Sequence, residues 1–480
     1  MWNREYPDPQ HFIAGAWQPG AAGDRHEIVD PASGEVIARL SGVSPAQVEE
    51  AIEAAGSAFH AWSAVPAWER AETLSRAATI LRQRTDTIAR WMTLEQGKPL
   101  AESRAEVHAA ADVFVWAAEE CKRTYGRLIP SRVKGVRQFT EFEPVGPSAL
   151  FAPWNFPLIL PTRKVATALA AGCTAVLKPA EQTPASAMAL VLACLEAGVP
   201  AGALNLLTGD APPISQALLQ SRVIRKVSLT GSVAVGRQVA RLAGEHLKKC
   251  TLELGGHAPV IILDDCDLEH AVATLVRTKF RNAGQVCVSP TRLLVQQGIA
   301  RQFTERFVAA AARLAVGPGL DEATQMGPLA TARRREAVDA MVRDAQAKGG
   351  RLLTGGVVPE GSGFFYPPTV IADTPVTASA LRDEPFGPVA LLSTFTDVDD
   401  AVAEANRLPL GLAAYLFTTD LKHARDLSAG IRSGMVGINH VAFGLPETPM
   451  CGVRDSGYGH EGGSEGIREY LVTKFVNEYC

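Results

Sequence analysis

Between Pro147 and Leu254 the sequence alternates short apolar runs with longer stretches of helical periodicity, and that alternation restricts the fold more than any other feature of the chain. The runs are Ser148 to Phe151, Thr174 to Leu177, Ala203 to Leu207, Lys226 to Leu229 and Cys250 to Glu253. Strands that recur between helices return to one sheet as parallel neighbours, which predicts an α/β fold built on a doubly wound parallel sheet. After Gly255-Gly256 a second series begins, with strands near Pro259 to Leu263, Arg292 to Val295 and Val389 to Phe395. Its helices fall near Leu268 to Arg281 and Ala300 to Leu314, and the change is read as a domain boundary.

The flanks differ. From Pro45 to Arg123 apolar residues recur at three and four, with Ser44 and Ser63 placed where helix starts need a side-chain acceptor. Tyr125 to Glu143 reads as an exposed hairpin around Lys134-Gly135, and Glu469 to Val476 as one more strand. An exposed hairpin needs a cover, which oligomerisation would supply. At 480 residues, two or three packed units are expected.

Charge excludes some partners. The 47 Lys+Arg and 51 Asp+Glu are interspersed and leave a net charge of -4, so no nucleic acid partner is expected. No stretch reaches the ~18 apolar residues of a membrane span, and Met-Trp-Asn-Arg-Glu-Tyr-Pro lacks the flank and apolar run of a signal peptide. The eight cysteines form no Cys-x-x-Cys pair and no zinc spacing, as in a reduced cytoplasmic protein without a metal site.

Several segments carry possible chemistry. In Phe280-Arg281-Asn282-Ala283-Gly284-Gln285-Val286-Cys287 a helix ends at a glycine and offers a thiol on the turn that follows; Cys287 is either a nucleophile or one more small buried hydrophobe. Glu253, near the end of a strand and before Gly255-Gly256, is either a general base or a surface carboxylate at a strand end. Asn155, in Ala152-Pro153-Trp154-Asn155-Phe156-Pro157, sits where such sheets place ligands and could donate to an oxyanion; alternatively the prolines merely fix a turn. Thr230-Gly231-Ser232 to Gly236 follows a strand and opens a helix, so its free N–H groups could hold a pyrophosphate. Lys178 and Glu181 could clasp ribose hydroxyls or form a solvated charge pair.

In order along the chain, Pro-Trp-Asn-Phe-Pro, Lys-Pro-Ala-Glu, Thr-Gly-Ser-x-x-x-Gly, Glu-Leu-Gly-Gly, Asn-Ala-Gly-Gln-x-Cys and Glu-Pro-Phe-Gly-Pro resemble the aldehyde dehydrogenase superfamily from about Phe12 to Val476. The resemblance implies two doubly wound parallel-sheet domains with a small β oligomerisation element. Residues 1–123 and 147–253 would form the NAD-binding domain, 254–450 the catalytic domain, and 124–146 with 465–480 the oligomerisation element. It further implies Cys287 as nucleophile, Asn155 with the Cys287 N–H as oxyanion hole, and Glu253 as the base that activates water. Trp154, Lys178, Glu181, Gly231, Ser232, Gly236, Glu384 and Phe386 would contact the cofactor. A carboxylate at Glu181 favours a free 2′-hydroxyl, hence NAD over NADP, with NADP possible.

Within that superfamily the chain is most similar to the succinate-semialdehyde dehydrogenase group, which also holds enzymes acting on 2-oxoglutarate semialdehyde. Arg163 and Arg281 match positions where the group holds a distal carboxylate, the chemistry a guanidinium pair suits. Two departures stand out. Ala442-Phe443-Gly444-Leu445 lacks the serine donor often present there, and Pro449-Met450-Cys451-Gly452 replaces Pro-Phe-Gly-Gly. Ser289 occupies the position of a second cysteine, so no thiol switch is expected. The expected partners are a small aldehyde, such as succinate, 2-oxoglutarate or glutarate semialdehyde, and further copies of the chain in a homodimer or tetramer.

Overall fold

The computed structural model describes residues 1–21, 23 and 25–479. Five of the apolar runs become β1 (Ser148–Phe151), β2 (Ala175–Lys178), β3 (Leu204–Leu206), β4 (Lys226–Gly231) and β5 (Lys249–Leu254). They pair in parallel in the order β3-β2-β1-β4-β5. Strands β1 to β3 are buried at every position, as a sheet covered by helices on both faces requires. The order of connection reverses between β1 and β4. That reversal opens a crevice beyond their carboxyl ends.

Four helices precede these five strands in the chain: α1 (Pro45–Ser63), α2 (Ala67–Gln83), α3 (Thr85–Gln96) and α4 (Leu100–Glu120). Ser44 caps α1 in a reciprocal box with Gln47, Gln47 N donating to Ser44 Oγ at 3.3 Å and Ser44 N to Gln47 Oε1 at 3.0 Å. Ser63 is not a start: it is the last residue of α1, its hydroxyl donates back to His60 O, and Pro66 stands at the head of α2. The crossovers are α5 (Ile159–Ala171), α6 (Pro184–Glu196), α7 (Ala211–Gln220) and α8 (Val233–Glu245). Leu74, Phe114, Leu169 and Leu190 of α2, α4, α5 and α6 meet in one core beside the sheet.

The chain leaves the first sheet at Leu254 and enters a second at Pro259. Its strands are β6 (Pro259–Ile262), β7 (Arg292–Gln296), β8 (Thr369–Ala372), β9 (Val389–Phe395), β10 (Ala413–Phe417) and β11 (Met435–Ile438). They run parallel in the order β8-β9-β7-β6-β10-β11, with Arg351–Thr354 antiparallel at one edge. β8, β10 and β11 were not among the predicted strands. Helix α9 (Leu268–Phe280) joins β6 to the cysteine-bearing turn before β7.

A third, three-stranded sheet stands apart. Arg127–Ile129 and Val136–Pro144 form the expected hairpin, and Leu471–Tyr479 pairs along the length of the longer strand. Leu128, Phe475 and Tyr479 are exposed on it. Cys480, at the end of the segment expected to join this element, lies outside the described residues. Gly457–Tyr458 returns to the first sheet and closes its edge against Leu252 and Glu253. No helix among the described residues is long and apolar enough to cross a membrane.

Candidate active site

The carboxyl end of β1 runs into Trp154 and Asn155, and that of β4 into Ser232 at the head of α8. A cavity of about 560 Å³ opens between them, and Trp154, Asn155, Gly231, Ser232, Glu253, Cys287, Glu384 and Phe386 all line it. Ser232 caps α8 by accepting from Val235 N, which leaves the first N–H groups of the helix open to an anion. Trp154 and Phe386 meet edge to face, with ring centroids 5.6 Å apart. Phe386 adopts a φ of 45°, a strained conformation for an aromatic residue.

The turn carrying Cys287 is also strained. After α9 the chain passes through left-handed conformations at Asn282, Ala283 and Gly284, with φ of 50°, 51° and 71°. At Gly284 a side chain would fall well inside contact with the Gly387 carbonyl, so the turn packs directly against Glu384-Pro385-Phe386-Gly387-Pro388. Polar contacts hold the conformation. Gln96 Nε2 donates to Asn282 Oδ1 at 2.8 Å, Asn282 N to Glu102 Oε2 at 3.0 Å, and Asn282 Nδ2 to the Asn155 carbonyl at 2.8 Å.

Burial pushes the Cys287 thiol up to about 12, with Glu384 and Glu253 adding to the shift. The thiol therefore needs a base to become a nucleophile. Glu253 is held well above the ordinary carboxylate range, first by burial and then by the charge of Glu461, while Lys164 and Arg163 oppose the shift. Both its oxygens are buried and unpartnered. Asn155 Nδ2 donates to Gln285 O at 3.0 Å, and an amide nitrogen has a second hydrogen to offer. Burial raises Glu384 to about 8.

Unpartnered buried groups at Glu253, Asn155 Oδ1 and Thr230 Oγ1 around one cavity fit a polar ligand that would satisfy them. An open helix N-terminus, an aromatic pair and a carboxylate in the same cavity fit a dinucleotide. Among the described residues no group of three or more His, Cys, Asp or Glu could hold a metal ion.

Sequence reasoning missed Lys164 and Glu461 as site residues. The Lys164 ammonium, buried on α5, pairs with Glu461 and donates to Ser228 Oγ at 2.9 Å, within electrostatic reach of Glu253. Lys164 lay beside Arg163 in a segment already singled out, but nothing in the pattern marked Glu461.

Five expected contacts lie off the cavity wall. Lys178 and Glu181 pair with each other beside the end of β2. Gly236 packs under Leu254, where a side chain would collide, so its place is helix-on-sheet packing. Arg163 is buried and donates through Nη2 to the Gly444 carbonyl, with Nη1 buried and unpartnered. Arg281 is exposed, its guanidinium 5.1 Å from the Phe156 ring centroid, so the two arginines do not converge in this cavity.

Comparison with known proteins adds the family. Residues 17–476 match the model of the aldehyde dehydrogenase family. The chain is 46% identical over 472 residues, 98% of both chains, to 4-(hydroxymethyl)benzenesulfonate dehydrogenase TsaD1 of Comamonas testosteroni. It is 41% identical, over 97% of both chains, to succinate-semialdehyde dehydrogenase [NADP(+)] GabD of Escherichia coli. A crystal structure of an E. coli NADP-dependent enzyme superposes with a TM-score of 0.97 at 40% identity, over 98% of both chains. The chain belongs to the aldehyde dehydrogenase family and is an NAD(P)-dependent aldehyde dehydrogenase.

Proposed function

We propose that the chain oxidises a small aldehyde carrying a distal anionic group, in the first instance a carboxylate as in succinate semialdehyde, by way of a thioester on Cys287. The observation that carries the reaction is the convergence of Cys287, Glu253 and Asn155 on one cavity. In this reading a base takes the thiol proton, Sγ adds to the aldehyde carbon, and the carbonyl oxygen becomes an alkoxide. Asn155 Nδ2 and the Cys287 N–H stabilise that charge as it develops. When bound, NAD(P) supplies the hydride acceptor. Glu253 then removes a proton from water as it attacks the thioester, releasing the acid and restoring the thiol.

The cofactor reading assigns Trp154, Gly231, Ser232, Gly236, Glu384 and Phe386 to the pyrophosphate and nicotinamide end, and Lys178 with Glu181 to the adenosine ribose. Glu181 favours NAD, although the E. coli relative is named for NADP. Residues 1–123 and 147–253 would be the cofactor domain, 254–450 the catalytic domain, and the third sheet the seat of a homodimer or tetramer in the cytoplasm.

For the substrate, the support is Arg163, a buried guanidinium with a free Nη1. A second reading is a sulfonate in place of the carboxylate. TsaD1 is named for a benzenesulfonate, and residues 442–445 offer no hydroxyl. The test compares kcat/KM for succinate, glutarate and 2-oxoglutarate semialdehydes, 4-formylbenzenesulfonate and uncharged aldehydes, each with NAD and NADP, in wild type and Arg163→Ala. Preference for anionic aldehydes that vanishes in Arg163→Ala is expected, and the ranking separates carboxylate from sulfonate. Equal rates for uncharged aldehydes, unchanged by the substitution, would remove the distal anion from the proposal.

A further inference from the structure

The connection between α3 and α4 lies outside both sheets, yet it sends buried polar side chains to both halves of the proposed oxyanion site. Lys98 is 1% exposed. Its ammonium pairs with Glu106 Oε2 at 2.6 Å, donates to the Asn155 carbonyl at 2.8 Å, and lies 4.2 Å from the Phe156 ring centroid. Glu106 uses its other oxygen to accept from Leu158 N at 2.9 Å and Ile159 N at 3.1 Å, capping α5, whose own cap residue makes no such bond.

The Asn155 carbonyl is the joint of the arrangement. It accepts from Lys98 on one side and from Asn282 Nδ2 on the other, and Asn282 is itself held by Gln96 and Glu102. Two chain segments with no covalent reason to keep a fixed separation, the turn carrying Asn155 and the strained turn leading to Cys287, are thus tied through the Asn155 backbone oxygen as well as by the direct bond from Asn155 Nδ2 to Gln285 O. A buried ion pair is weak evidence for stability, because desolvation offsets most of its attraction. Its value here is geometric.

The geometry points to Lys98, seated by Glu106, as a positioning residue that sets the Asn155 amide against the Cys287 turn for the alkoxide formed during turnover. The inference rests on the proposed role of Asn155. A carbonyl that accepts a charged hydrogen bond fixes its peptide plane, and with it the direction of the side chain on that residue.

The test is a double-mutant cycle of Lys98→Met and Asn155→Ala, reading kcat and KM for the aldehyde together with the rate at which iodoacetamide alkylates Cys287. Alkylation forms no alkoxide, so it reports thiol access without the oxyanion site. Lys98→Met is expected to lower kcat by roughly 10- to 100-fold, a fraction of the loss from deleting an oxyanion donor outright, with aldehyde KM and alkylation within about twofold. In the Asn155→Ala background the same substitution should cost less than about twofold more. Equal losses in both backgrounds, or none in either, would overturn the role of Lys98 alone. An Asn155→Ala enzyme with undiminished kcat would instead sink the oxyanion reading, and this inference with it. Should Lys98→Met fail to fold, Glu106→Gln replaces it, keeping an oxygen for Leu158 and Ile159 while weakening the hold on the ammonium, and the same non-additive loss is expected.

Discussion

Cys287 and Glu253 occupy the same buried cavity, and burial acts on both in the same direction, towards the protonated form. A thiol raised to about 12 is almost entirely protonated at neutral pH, and its thiolate fraction grows about tenfold per pH unit below that value. Iodoacetamide alkylation of Cys287 should therefore keep rising from pH 7 to pH 10, and a rate already flat by pH 8 would show a thiolate stabilised in the cavity. Glu253→Gln keeps the volume and removes the proposed base. Its expected signature is a burst of reduced cofactor near one equivalent per site, followed by turnover slowed roughly 10²- to 10⁴-fold. Loss of the burst as well would place Glu253 in thiol activation and not only in hydrolysis. The residues proposed for this chemistry stand out in the sequence because each sits in a short motif beside glycine or proline. Glu461 and Lys98 do not, since each acts through a partner scores to hundreds of residues away in the chain, which no local pattern encodes.

At the scale of elements, eight of the eleven parallel strands were read within a residue or two because burial on both faces leaves them largely apolar. Gly437 interrupts β11 and β8 follows Pro367-Pro368, whereas β10, Ala-Ala-Tyr-Leu-Phe and buried throughout, carries the same apolar signal as the strands that were read. Ser63 misled because a capping residue is informative only where a helix begins, and Ser63 is instead the last residue of α1. Two glycines separate packing from propensity. Gly284→Ala would put a side chain against the Gly387 carbonyl in a left-handed turn, with an expected loss of about 1–3 kcal/mol and of activity with it. Gly244→Ala, near the end of α8 with open space around it, should gain roughly 0.5–1 kcal/mol. Thermal unfolding of the two variants reads both signs, and a stabilised Gly284→Ala would mean the two turns are free to separate.

The whole molecule presents a three-stranded sheet that leaves Phe475 and Tyr479 largely uncovered on one face and Leu128 on the other. A sheet of that kind is expected to meet another copy. Light scattering should give a dimer or tetramer for the wild type and a smaller species for Leu128→Lys with Phe475→Lys; a wild-type monomer at micromolar concentration would end the proposal. A different consequence follows from the strand at Gly457–Tyr458, which lies against Glu253, and from Glu461, which neutralises the Lys164 ammonium within electrostatic reach of that carboxylate. Both come from the last thirty or so residues of the chain. On the ribosome, a nascent polypeptide that has already exposed Cys287, Glu253 and Asn155 still lacks the edge of the sheet beside Glu253, so competence for the reaction is expected only once Gly457 to Glu461 have emerged and docked.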